Sequence, residues 1–160
     1  MKINFDEVLE IVKSNQGKVI LLNGTKCIGK TTTSIKLVEH FSCNLDIPTL
    51  FYSLDMKKED VEKVIMNKSK HLIIDDTSNT SINDLYTNIQ NLYNKNKIGL
   101  VVIDVIQLMS YNNLENWSFD IQQQKIIDEL VKISKKLNIT IFITQQIRKK
   151  EIKDYSIEVI

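Results

Sequence analysis

The sequence predicts an α/β fold of three layers, a mostly parallel central sheet with helices on both faces. Short apolar runs alternate with longer segments of helical periodicity, which is the pattern of successive βαβ units. The runs are apolar nearly throughout rather than at every second position, as in strands covered on both sides. The first run, Val19 to Leu22, passes through Asn23 into a loop bounded by Gly24 and Gly29, and a helix-forming segment follows at once.

The elements follow in order. Phe5 to Ser14 carries Phe5, Val8, Leu9, Ile11 and Val12 at roughly helical spacing, and Asn15-Gln16-Gly17 ends it. Lys18 to Asn23 is the first strand, and Thr31 to Ser42 is a helix with Ile35, Val38 and Phe41 on one face. Pro48 breaks the chain before a second strand, Thr49 to Ser53. Lys57 to Asn67 reads as a helix with Val61, Val64 and Ile65 inward, and His71 to Asp75 as a third strand. Ser81 is placed as the N-cap of a helix whose stripe is Ile82, Leu85, Tyr86, Ile89, Leu92 and Tyr93. Leu100 to Asp104 is the fourth strand, with continuation through Ile106 and Leu108 expected. Tyr111 to Asn116 is a polar loop. Ser118 to Leu137 is a helix, Ile139 to Thr144 the fifth strand, and Tyr155 to Val159 a short edge strand.

The chain has 160 residues, which favours one domain over 1–160, with an N-terminal helix within 1–16 and a tail or edge strand within 149–160. With 42% hydrophobic and 26% charged residues it reads as globular, and a net charge of +1 gives no global field for nucleic acid. Cys27 and Cys43 make no disulfide framework, so a reduced, cytoplasmic setting is the simplest expectation. The N-terminus lacks a signal-peptide core, and no apolar run approaches the roughly 20 residues that span a bilayer.

Gly24-Thr25-Lys26-Cys27-Ile28-Gly29-Lys30-Thr31, followed by Thr32, fits the phosphate-binding loop pattern G-x-x-x-x-G-K-[ST]. Successive backbone N–H groups in such a loop can turn toward a polyphosphate, and the glycines keep side chains out of its path. Lys30 would reach the β- and γ-phosphates, the Thr31 hydroxyl would ligate Mg²⁺, and the helix N-terminus would face the anion. Lys26 and Cys27 read as loop residues without catalytic duties of their own.

Three more positions follow strand ends, where ligands of parallel sheets bind. Asp104 closes an apolar run as a metal-directed Walker B carboxylate does. Asp55 could orient or deprotonate a water, and it fits equally well as a turn or capping acid for the helix at Lys57. Gln145 could hydrogen-bond the γ-phosphate or the water, or be an exposed strand-end residue. Asp75 and Asp76 read as loop and capping residues, His40 and His71 as structural. Arg148, Lys149 and Lys150 read as a solvated basic group.

Taken together, Gly24 to Thr31, Tyr52-Ser53-Leu54-Asp55-Met56, Val101 to Met109 with its Asp104-x-x-Gln107-Leu108 core, and Ile143 to Arg148 resemble the RecA-like motor domain of DnaB-type replicative helicases. The resemblance covers about residues 15 to 150. It implies a RecA-like P-loop fold, with Lys30 and Thr31 on phosphate and Mg²⁺ and Asp104 as the Walker B acid. It further implies Asp55 at the catalytic glutamate position, Thr144-Gln145 at the Ser-Gln sensor, and Arg148 at the arginine that follows. The implied ligands are ATP and Mg²⁺. The implied partners are single-stranded DNA and either a ring of like subunits or another replication protein, with no membrane.

Two motifs depart from that family. Asp55 is one methylene shorter than glutamate, and the family's Gln-Leu-Asn-Arg reads Gln145-Gln146-Ile147-Arg148. The family's N-terminal assembly domain has no counterpart in this sequence, nor do its later DNA-contacting loops and arginine finger. The expectation is therefore ATP–Mg²⁺ binding, weak or absent hydrolysis and no unwinding by this chain alone. The alternative is a shortened, non-catalytic nucleotide-binding module that docks on a helicase or other replication partner. A recombination- or clock-type RecA relative fits less well, because of Leu54-Asp55-Met56 and Gln107-Leu108-Met109.

Overall fold

The computed structural model describes residues 2–109, 118–148 and 154–160. The polar loop expected at Tyr111 to Asn116, and Lys149 and Lys150 of the basic group, lie outside the described residues.

The chain runs α1 (Phe5–Ser14), β1 (Val19–Gly24), α2 (Lys30–Glu39), β2 (Thr49–Ser53), α3 (Lys58–Val64), β3 (Leu72–Asp75), α4 (Ile82–Asn96), β4 (Leu100–Asp104), α5 (Phe119–Leu137), β5 (Thr140–Gln146) and β6 (Tyr155–Val159). The sheet order is β3-β2-β4-β5-β1-β6. The pairs β3–β2, β2–β4, β4–β5 and β5–β1 are parallel, whereas β6 lies antiparallel on β1. This is the mostly parallel three-layer α/β architecture expected from the alternation of runs, with the edge strand where the pattern put it.

Strand alternation divides the core in two. Ile20, Leu22, Phe51, Leu100, Val102 and Phe142 pack under α1, α2 and α3. Val19, Leu21, Leu50, Tyr52, Val101, Ile103, Ile141 and Ile143 pack under α4 and α5. β1, β2 and β4 are buried along their whole length, which explains their continuous apolar runs.

Caps hold the helix ends. The Asn4 carboxamide accepts from Asp6 N–H at 3.1 Å, and the Ser81 hydroxyl accepts from Asp84 N–H at 3.1 Å, as its sequence position predicted. The first N–H of α3, from Lys58, donates to Asp76 Oδ2 at 2.8 Å. Asp75 Oδ1 accepts from Thr77 N–H at 2.9 Å and its Oδ2 accepts from Asn88 at 3.2 Å. Asp75 and Asp76 are thus the loop and capping residues expected, and the capping reading of Asp55 is superseded.

Three element expectations are corrected. α3 ends at Val64 rather than Asn67; Ile65 leaves the helix in extended backbone and is buried, while Val64 is 52% exposed instead of facing inward. The helix after the phosphate loop stops at Glu39 and widens into a π turn over His40–Asn44, which still buries Phe41. β4 does not continue beyond Asp104. The Asp104–Val105 peptide is cis, and a 3₁₀ turn follows over Ile106–Leu108. Ile106 and Met109 are buried under α4 and α5. An apolar run reports burial, and here the burial lies in the helical layer rather than in a strand.

Candidate nucleotide site

The site is assembled at the carboxyl ends of the parallel strands, where β1 hands over to α2. Gly24 is still in the sheet and is closely packed: a Cβ there would lie 2.9 Å from Ile28 Cγ2 and 3.2 Å from Lys30 Cδ. Cys27 and Gly29 both take left-handed backbone, with φ of 62° and 102°. Glycine suits the second without strain, whereas Cys27 holds it as an L side chain. Gly29 is the N-cap of α2, and its carbonyl accepts from Thr33 N–H at 2.9 Å and from Thr33 Oγ1 at 2.8 Å. The first turn of α2 therefore opens on the loop with its N–H groups directed outward.

Lys30 is buried beneath this loop. Its Nζ donates to the Gly24 carbonyl at 3.0 Å and the Thr25 carbonyl at 2.7 Å. Burial pushes its pKa below the ordinary lysine value, and the nearby Asp104 and Cys27 oppose that shift. Asp104 is only 2% exposed at the tip of β4. Burial pushes its carboxyl above the usual carboxylate range; hydrogen bonds from Thr144 and Thr31 pull it back, Asp55 adds to the rise, and Lys30 lowers it. Thr144 Oγ1 donates to Asp104 Oδ1 from the neighbouring strand.

Lys30 and Asp104 line one cleft of about 380 Å³. Its walls include Lys26, Cys27, Gly29, Lys30, Thr31, Thr32, Asp55, Asp104, Val105 and Gln146. Residues of the phosphate loop, Asp104 and the exposed Asp55 thus meet from three strand ends, three of the four positions that the sequence reading allowed to converge there. Of the remaining loop residues, Ile28 is buried and Thr25 turns its carbonyl to Lys30 Nζ.

Gln145 is the exception. Even-numbered positions of β5 share the face of Asp104, and odd-numbered ones face α5. Gln145 consequently donates from Nε2 to Gln123 Oε1 at 2.9 Å, and Gln146 lines the cleft in its place. Arg148 lies just beyond β5, exposed and outside the cleft wall. Sequence reasoning missed Gln146 and Gln123. Strand parity relative to Asp104 carried the signal for the first; the partner of Gln145 on α5 had no local signature. Asn23, also unremarked in the sequence, is buried and donates to Glu158 Oε1 at 2.8 Å, which ties β6 to the strand that carries the loop.

The donor set fits a magnesium–nucleotide ligand. Backbone amides of the loop and the ammonium groups of Lys26 and Lys30 on the cleft wall suit phosphate oxygens. The Thr31 hydroxyl and Asp104 carboxylate, both on the cleft wall, are hard oxygen donors of the kind Mg²⁺ takes alongside phosphates and water. Among the described residues, no group of three or more His, Cys, Asp or Glu side chains could hold a metal by itself.

A family profile described as DnaB-like helicase C terminal domain matches residues 62–155, more than half of the chain. The chain belongs to this family. The matched stretch of this DnaB-like domain contains Asp104 and β5, and the phosphate loop precedes it. A curated relative, the "Probable replicative DNA helicase" of Trieres chinensis, is 26% identical over 160 residues, covering 81% of this chain and 35% of the relative. A solved DnaB-like replicative helicase, described with its interactions with primase, superposes with a TM-score of 0.71 at 20% identity, over 88% of this chain and 42% of that one. A solved ATPase domain superposes with a TM-score of 0.74 at 16% identity, over 94% of this chain and 73% of that one. The DnaB-like chain thus spans about a third of the curated relative it matches, and the structural likenesses establish a shared RecA-like fold. Among the described residues, no helix is long and apolar enough to cross a membrane.

Proposed function

We propose that this DnaB-like domain binds ATP with Mg²⁺ in the cleft at the phosphate loop and hydrolyses it slowly, as a motor element acting on single-stranded DNA in replication. The observation that carries the reading is the convergence of Lys30, Thr31, Asp104 and Asp55 around one cleft.

Lys30 is held ready by two loop carbonyls. Exchanging them for β- and γ-phosphate oxygens would give its desolvated ammonium an anionic partner in place of two neutral ones. Thr31 and Asp104 would hold the metal ion, and Thr144 keeps the Asp104 carboxylate oriented. Bound Mg²⁺ would supply charge neutralisation at the phosphates. Asp55, exposed in the cleft wall, would orient a water or accept its proton. A DNA-dependent activity would further involve neighbouring copies in a ring or another replication protein.

The second reading, a non-catalytic nucleotide-binding module that docks on a helicase, draws on two features. Asp55 has the shorter side chain, and Gln145 is engaged with Gln123 rather than with the cleft. Steady-state ATP hydrolysis with and without single-stranded DNA, on the parent and on Asp55→Glu, separates the two. The enzyme reading expects slow turnover that DNA stimulates and that the longer acid raises about tenfold. Tight ATP binding with no turnover in either protein selects the module.

A further inference from the structure

A groove of about 190 Å³ runs between α4 and α5 and shares no residue with the nucleotide cleft. Ile82 and Ile133, both buried, and Tyr86, packed against the core, give it an apolar wall. Exposed Asn83, Lys132 and Lys136 border it. Glu129 lies in the same wall and is engaged, accepting from Lys132 Nζ at 2.7 Å. Lys136 donates to the Tyr86 hydroxyl, with its Nζ 5.3 Å from the ring centroid.

The surroundings are one-sided in charge. From Leu130 to Arg148 the sequence holds Lys132, Lys135, Lys136 and Arg148 and no Asp or Glu, and α4 has no acid after Asp84. Across the ridge of α5, Lys18 and Lys135 border a second hollow, of about 140 Å³, with Val131 in its wall. Lysines in the last turn of a helix offset its dipole, which accounts for Lys135 and Lys136 taken alone. It does not account for the apolar hollows beside them. Lys132 and Lys136 are four residues apart on one helix face, where like charges repel. Lys136 meets a neutral phenol, a weaker acceptor than a carboxylate.

The features select an acidic polypeptide over other anions. The groove is of side-chain size, below the roughly 300–1,000 Å³ of small-molecule pockets. Single-stranded nucleic acid stacks its bases on open aromatic faces, whereas Tyr86 is packed on the core and lies under Lys136. A phosphate backbone alone makes no use of an apolar wall. A peptide with apolar anchors and flanking carboxylates uses both the wall and the lysines.

We propose that the α4–α5 groove docks an acidic segment of a partner protein, which seats an apolar side chain against Ile82, Tyr86 and Ile133 and sets carboxylates against Lys132 and Lys136. The proposal is independent of the nucleotide reading.

The test selects binders from a random dodecapeptide library on the full chain, with the Lys132→Glu/Lys136→Glu variant as counter-target. Both changes are at exposed side chains, and circular dichroism checks the fold. Enriched peptides are expected to carry Asp or Glu flanking an apolar residue. The strongest of them, made synthetically, is expected to shift amide resonances of residues 82–86 and 129–136 and to bind more weakly as salt rises. The charge-reversed variant should lose at least tenfold in affinity for it. Asn83→Trp, which fills the groove and spares the lysines, should lose a similar amount. No enrichment, peptides without acids, or equal binding to the charge-reversed variant overturns the proposal. Oligothymidylate shifting the same resonances at lower concentration than the peptide also overturns it, in favour of nucleic acid. Self-association of the parent that the charge reversal abolishes overturns it in favour of a second copy.

Discussion

Asp104→Asn is expected to abolish metal-dependent nucleotide binding while making the ligand-free protein more stable. The carboxylate is buried, and burial already works against its charge. Asparagine has the same shape. It can accept from the Thr144 hydroxyl through its oxygen, so Thr144 keeps its partner. Removing a desolvated charge while retaining that hydrogen bond is expected to stabilise the fold by about 1–2 kcal/mol. The same change removes the buried carboxylate that faces the cleft beside Thr31, and the Mg²⁺-dependent part of the ATP affinity should fall by about a hundredfold. Thermal unfolding without ligand and ATP titrations with and without Mg²⁺ check the two halves. A destabilised variant would mean that Asp104 supports the fold through its charge rather than at its expense.

Phe142→Ala is expected to have the largest effect on stability. Phe142 is fully buried in β5, in register between Ile20 of β1 and Val102 of β4, under the α1–α3 layer. Truncation at such a position costs about 3–5 kcal/mol, part of it for the cavity that rigid neighbouring strands cannot close. That is a large fraction of the roughly 5–15 kcal/mol available to a typical domain. The urea midpoint should drop steeply with little change in the slope of the transition, and Phe142→Leu should recover most of the loss. Because Thr144 lies two residues further along the same strand face, nucleotide affinity should weaken in parallel. A small shift in midpoint would show that the two helical layers, rather than this strand, carry the core.

The features legible in the sequence were those encoded locally. The phosphate loop declares itself by spacing, Asp104 by closing an apolar run, and Ser81 by preceding a helical stripe. β6 was visible because Tyr155 to Val159 alternates, as an edge strand with one covered face does. What escaped depends on contacts between distant segments. Val64 and Ile65 are both apolar neighbours, and only the point where α3 unwinds decides which of them is buried. Ile106 looked like more of β4 because apolar character reports burial and not the layer in which it occurs. Gln145 and Gln146 are chemically identical, and the parity of β5 relative to Asp104 determines which of them sees the cleft. The groove between α4 and α5 could not be read at all, since the two helices meet only through the fold.

The central claim is that the loop from Gly24 to Thr31, with Lys30 beneath it, grips a triphosphate beside Asp104. Equilibrium binding of Mg–ATP to the parent and to Lys30→Ala tests it most directly. The account predicts saturable binding to the parent and a loss of about a hundredfold in the variant, with its fold intact by circular dichroism. Equal affinities in the two proteins would contradict it.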